Sequence, residues 1–240
     1  MIDNQKDWDI ACNRFIGFID IMGFKNLIET KSQSEIYAVM KMLHGIRETD
    51  IAGYMTKDGG ATFTTERIRT VFFSDSLIFY TEDDSEICYH LLLNTMTAVT
   101  SGFYELGVPF KGAIAYGEFT ADVTRSIYFG QPLVDAFLLQ EDLALYAMIL
   151  HDSMDEVMSR YRANSSVMDY DFPAKENKTF YRPGITLFKT RMMPQLYDNH
   201  RKKVKNMGVG VREHIQTYVK NTLAWMDFNY REYHMLRMKV

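Results

Sequence analysis

The sequence predicts an α+β fold: a ferredoxin-like βαββαβ core with a C-terminal helical appendage. Three observations carry the prediction. Short, nearly continuous apolar runs rich in aromatic and β-branched residues alternate with stretches whose apolar residues recur every three or four positions, so strands and helices follow one another. Two of the apolar runs are joined by a tight polar turn, the form of a hairpin. Beyond Asp152 both signals weaken, which divides the chain into a core over residues 10–152 and an extension over 153–240 packed on it.

Arg14 to Met22 (RFIGFIDIM) is the first strand, bounded by Gly23 and apolar enough to be covered on both faces. Leu27, Ile28, Ile36, Val39, Met40 and Leu43 then fall at helical spacing, through about Arg47, before a polar, Gly-rich stretch from Thr56 to Thr65. Glu66 to Tyr80 holds two apolar runs around Ser74, Asp75 and Ser76, a hairpin. Ile87 to Leu106 is helical in period and stops at Gly107 and Pro109. Phe110 to Phe119 reads as a strand with a hairpin partner near Ser126 to Phe129, and Pro132 suits the first turn of a helix running from about Gln131 to His151. The extension offers a polar stretch from Ser159 to Lys178, a strand at Ile185 to Phe188 and a helix from about Val211 to Phe228.

Composition narrows the function. With 27 basic and 31 acidic side chains the formal charge is −4, so no overall positive field holds a nucleic-acid backbone by counterion release. Cys12 and Cys88 are too few for a disulfide framework or for a zinc site by themselves. The most apolar stretches are broken by Asp20 and by Asp135, Glu141 and Asp142, whereas a bilayer span takes about 20 uninterrupted apolar residues. The expectation is a cytoplasmic protein with neither a nucleic-acid nor a membrane partner. The six histidines show no ligand spacing, the sixteen methionines fall mostly in helical periods as core residues, and Arg201, Lys202, Lys203 and Lys205 read as a solvated run.

The topology makes a chemical statement possible. In the split βαβ order the third strand lies between the first and second, so the end of strand one and the turn between strands two and three share one sheet edge. Asp20 and Asp75 occupy those two places. Asp20 also lies inside an apolar run, where an unpaired charge is expensive. Two such carboxylates repel unless a cation sits between them, and a hard divalent cation with oxygen ligands, here including the Ile21 carbonyl, is the common solution. Ile21 to Asn26 then opens a helix, whose orphan N–H groups favour phosphate. Metal beside a phosphate cradle points to nucleoside triphosphate chemistry. Lys111 alternates with Ala113, Ala115 and Gly117 on a strand face of small residues, which leaves it open to a ligand or a second subunit, while Arg67 and Arg69 share a face with Val71.

FIDIMGF, followed along the chain by FFSDSLIFY, KGAIAYG and YFGQPLVDA, resembles a class III nucleotidyl cyclase catalytic domain. More narrowly, the FSDS hairpin and the KGAI strand resemble the bacterial pyrimidine cyclases of the Pycsar anti-phage system, which make cyclic UMP or cyclic CMP. The resemblance covers roughly Phe15 to Gln140. It implies that Asp20 and Asp75, with the Ile21 carbonyl, hold a pair of Mg²⁺ or Mn²⁺ ions, and that Gly23, Phe24 and Lys25 lie against the triphosphate of UTP or CTP. Lys111 falls near the position of the basic residue that opens the fourth strand in many of these enzymes, and Val71, with Arg69 on the same strand face, lies where the purine enzymes read the base. A homodimer is implied, and a separate effector activated by the cyclic nucleotide. The chain departs from the purine enzymes at Val134 and Leu138, where they carry an asparagine and an arginine, and at Val71 and Ile127, where they read the base with a lysine and a polar companion. These departures favour a pyrimidine, UTP first. The alternatives are a purine cyclase with an unusual pocket and a catalytically silent nucleotide-binding domain.

Overall fold

In a computed structural model, residues 8–55, 67–187 and 194–237 are described. The first apolar run forms β1 (Ala11–Ile21), buried without a break from Arg14 to Ile19, as a strand covered on both faces must be. The expected single helix is two, α1 (Phe24–Thr30) and α2 (Gln33–Met55), broken at Lys31 and Ser32. There Ser32 and Glu35 satisfy each other's backbone N–H groups, a reciprocal cap that starts α2 afresh. The Gly-rich stretch read from Thr56 to Thr65 lies outside the described residues. The hairpin is β2 (Ile68–Phe73) and β3 (Ser76–Thr81), followed by α3 (Glu86–Leu106) and β4 (Phe110–Asp122).

The sheet runs β2-β3-β1-β4, with β3 antiparallel to both β1 and β2 and β4 antiparallel to β1, the split βαβ arrangement expected of the core. One sheet face carries Phe15, Ile19, Phe110 and Ile114 against α3, where Leu92, Met96 and Phe103 meet them. Helix α2 and a helix of the C-terminal extension, α6 (Pro194–Met207), close over α3, so it is apolar nearly all round. Arg14 is buried within β1 and, among the described residues, has no carboxylate within salt-bridge distance; its guanidinium donates to the carbonyls of Thr81, Phe119 and Asp9, tying three segments together.

The other face is not open. After β5 (Ile127–Gly130), paired to β4, the helix α4 (Gln131–Asp142) lies across it. Ala136 packs on Ala113, Ala115 and Phe18, so the small residues that suggested an exposed surface instead let a helix approach closely. Gly130 makes the tight entry possible: a Cβ there would stand 2.5 Å from the Glu118 carbonyl oxygen.

The helix expected through His151 stops at Asp142. Leu143, Leu145, Ala147 and Ile149 are buried in one cluster, a period of two that belongs to extended chain, and Met148–Leu150 forms β6, parallel to β4. The sheet then continues through β8 (Thr179–Ile185) to β7 (Val167–Pro173), after the short α5 (Asp155–Arg160). β7 therefore occupies the stretch read as merely polar, and the strand expected at 185–188 lies earlier. Its alternation is masked because β7 shows solvent one side, Asp169 and Asp171, while Phe172 packs on Trp225. Helices α6 (Pro194–Met207), which was not expected, and α7 (Glu213–Arg237), which was, complete the chain. No helix among the described residues is long and apolar enough to cross a membrane.

Candidate active site

β1 delivers Asp20 to the sheet edge beside the β2–β3 turn. Across β1 and β3, Asp20 pairs in register with Ser76, and the Ile21 N–H donates to the Asp75 carbonyl at 2.8 Å, so the turn carrying Asp75 is hydrogen-bonded to the residue after Asp20. Ser74, with φ of 56°, makes the sharp turn that brings Asp75 there. Burial raises the Asp20 carboxyl above the ordinary aspartate range, the negative charge of Asp75 raises it further, and Lys111 partly opposes both. A desolvated carboxylate facing another carboxylate is the donor set a divalent cation suits. Among the described residues no group of three or more His, Cys, Asp or Glu side chains converges on one point. Two carboxylates are enough for Mg²⁺, which keeps waters and takes substrate phosphate oxygens for the rest of its shell.

Lys111 stands opposite Asp20 in the β1–β4 register, on the same sheet face. It is only 4 % exposed, and its Nζ donates to the Glu141 carbonyl at 2.9 Å, at the last turn of α4. Desolvation lowers its pKa to about 8, helped by the nearby charge of Lys175 and opposed by Asp20, Glu141 and Asp142. Lys175 belongs to the β7–β8 turn, which reaches this place because Ala174 bridges to Leu143 and the Ala144 N–H donates to the Pro173 carbonyl. Asp20, Asp75, Lys111, Glu141, Asp142 and Lys175 thus come from five separate stretches of chain. The last three were missed in the sequence, where nothing but the tertiary path of β7 and β8 connects them to Asp20.

The remaining expected residues spread around this edge. Gly23 has φ of 72°, a left-handed turn between β1 and α1, and Phe24 begins α1. The Met22 N–H donates to the Pro109 carbonyl, which leaves the N–H groups of the first turn of α1 as the available donors. Lys25 is exposed and pairs with Glu29 at 3.9 Å. Arg69 and Val71 lie on the Asp20 side of the sheet, since Val71 pairs with Ile78 and Arg69 with Tyr80. The Arg69 guanidinium lies 4.0 Å over the Trp8 ring. Ile127, Val134 and Leu138, at the positions of departure, are exposed, as are Phe129 and Phe137, and Phe73 at the hairpin tip is 76 % exposed.

No protein-family model and no curated protein matches the chain. It is similar to the solved catalytic core of a rhodopsin-guanylyl cyclase with converted specificity in complex with ATPαS, at 13 % identity over 73 % of this chain and 97 % of that one, with a TM-score of 0.49. It is similar also to adenylate cyclases from Trypanosoma brucei in their monomeric state, at 11 % identity over 77 % and 92 % of the two chains and a TM-score of 0.47. A third similar structure is the guanylyl cyclase Cya2, at 13 % identity over 75 % and 94 % and a TM-score of 0.46.

Proposed function

We propose that the protein is a metal-dependent nucleotidyl cyclase that converts a pyrimidine nucleoside triphosphate, UTP ahead of CTP, to the 3′,5′-cyclic monophosphate and pyrophosphate. The cyclic product would serve as a messenger to a separate effector in anti-phage defence. The observation that carries the reading is the meeting of Asp20 and Asp75 at one sheet edge, where burial and like charge both work against the Asp20 carboxylate. The sequence resemblance supports the same residues.

Asp20, Asp75 and the Ile21 carbonyl would hold a pair of Mg²⁺ or Mn²⁺ ions, which supply charge neutralisation at the triphosphate and a lowered pKa at the ribose 3′-hydroxyl. The left-handed turn at Gly23 opens the first N–H groups of α1 toward the triphosphate, beside Phe24 and Lys25. Lys111, buried at the same edge, adds a positive charge where water is excluded. The 3′-oxygen attacks the α-phosphorus, its proton leaves to solvent, and the bond to pyrophosphate breaks in line. Residues 10–152 would form the catalytic core, with 153–240 packed on it.

Base choice rests on Val71 and Ile127, aliphatic groups that cannot bond a purine's polar edge; each bond left unmade in a closed site costs about 1 to 3 kcal/mol. Arg69, on the face of Val71, can donate to pyrimidine O2 or O4, and uracil offers two such carbonyls against one in cytosine. The exposed apolar side chains of α4, β5 and the β2–β3 hairpin would be covered by a second copy of the chain, giving a homodimer with sites shared across the interface.

Purified protein incubated with each of the four ribonucleoside triphosphates and Mn²⁺ tests the reading. UTP or CTP should release pyrophosphate. A kcat/KM for ATP or GTP equal to or above both moves the assignment to a purine cyclase, and no release from any of them makes it a silent domain. Asp20→Ala and Asp75→Ala should each lower turnover by roughly 10² to 10⁴ with an unchanged circular dichroism spectrum. Undiminished turnover in either removes the metal assignment.

A further inference from the structure

Gln140 is a buried polar side chain of this neighbourhood that the proposed reaction leaves unused. It is 2 % exposed, and its amide oxygen makes no hydrogen bond among the described residues. A buried acceptor without a donor is costly, and such groups persist where something else needs them. Gln140 lies one helical turn past Ala136, which packs on Ala113 and Ala115 of the strand that carries Lys111. The next residue, Glu141, already receives Lys111 through its carbonyl. An idle buried acceptor and an engaged one therefore belong to consecutive residues of the last turn of α4.

The ammonium has three N–H donors, one of which is given to the Glu141 carbonyl, and Lys111 stands opposite Asp20 across the strand pair. The two opposite charges act on each other: Lys111 holds the pKa of the Asp20 carboxyl down against its burial, and Asp20 holds that of the ammonium up against its own. A divalent cation taking the Asp20 carboxylate would repel the ammonium, which is only 4 % exposed. We propose that Lys111 is the resident counter-ion of Asp20, displaced when a divalent cation binds, and that Gln140 is the positioning residue that receives the released ammonium. The inference rests on the metal site proposed above.

Mn²⁺ binding to the full chain, followed by calorimetric titration without nucleotide, tests it. Gln140→Met keeps the length and removes the acceptor, and should weaken Mn²⁺ binding about tenfold, the worth of a charge-assisted bond. Lys111→Met removes the ammonium, so adding Gln140→Met to it should change affinity no further. Unchanged affinity in the single Gln140 variant, or an equal loss in the Lys111→Met background, overturns the proposal. Should Gln140→Met not fold, Gln140→Glu keeps an acceptor and should bind Mn²⁺ at least as tightly as the wild type; weaker binding would count against the handover. A wild-type chain that binds no Mn²⁺ removes this proposal together with the metal site, whereas binding without pyrophosphate release removes only the cyclase reading.

Discussion

Asp20 sits where an aspartate costs the fold stability. Its folded pKa is raised, so between the ordinary aspartate value and the raised one the folded chain binds more protons than the unfolded chain, and stability falls as pH rises through that window. Asp20→Asn should therefore melt higher than the metal-free wild type at pH 7, with each kcal/mol gained worth roughly 2–4 °C in a chain of this size. Mn²⁺ should raise the wild-type melting temperature and leave that of the variant nearly unmoved. Lys111 titrates with the opposite sense. Its pKa falls from 10.5 to about 8, so the unfolded chain binds the extra proton between those values and stability climbs as pH rises from about 8 to 10.5. Lys111→Met should remove that climb from urea-unfolding free energies measured across the range. Asp20 was readable in the sequence because a charge inside RFIGFIDIM has no ordinary explanation. Gln140 and Lys175 were not, since a glutamine near a helix end and a lysine in a turn are commonplace until folding buries the one and brings the other to Lys111.

Helix α4 shows how far periodicity carries and where it stops. Pro132 marked its first turn correctly, and Gly130 before it is required by the approach of the Glu118 carbonyl. Its end was missed because Leu133 to Leu150 is apolar almost throughout, and a helical and an extended period coincide often enough in such a run to hide the change at Asp142. The same helix carries Val134, Phe137 and Leu138 on its exposed side. Phe137→Glu should convert the proposed dimer to monomer in sedimentation at micromolar concentration and abolish turnover. A wild-type chain that sediments as a fully active monomer would remove the shared-site arrangement.

On the scale of the whole molecule, the four core strands β2-β3-β1-β4 followed from the order of apolar runs and turns, while β6, β8 and β7 did not, because three short strands with half-polar faces give weak local signals. Yet these strands and α7 bury Leu143, Leu145, Ala147 and Ile149 beneath Phe172 and Trp225. A chain cut after residue 152 would present those side chains to water, and should be recovered as aggregate or with a broad, non-cooperative melt rather than a sharp one. A cooperative melt from that fragment would show that the first 152 residues fold alone.

The chain has two tryptophans, and their placement divides an optical signal by location. Trp225 is wholly enclosed among Phe172, Tyr170 and Phe228, so its emission should be blue-shifted, slow to quench with acrylamide, and sensitive to loss of the C-terminal packing. Trp8 lies against Arg69 and edge-on to Tyr80, on the sheet face where a base would be read. Its emission should be redder, readily quenched, and altered by any nucleotide that draws the Arg69 guanidinium away from the indole. A Trp8→Phe chain would isolate the first emitter, and subtraction would leave a built-in reporter of events at the face of Arg69 and Tyr80 without an added dye.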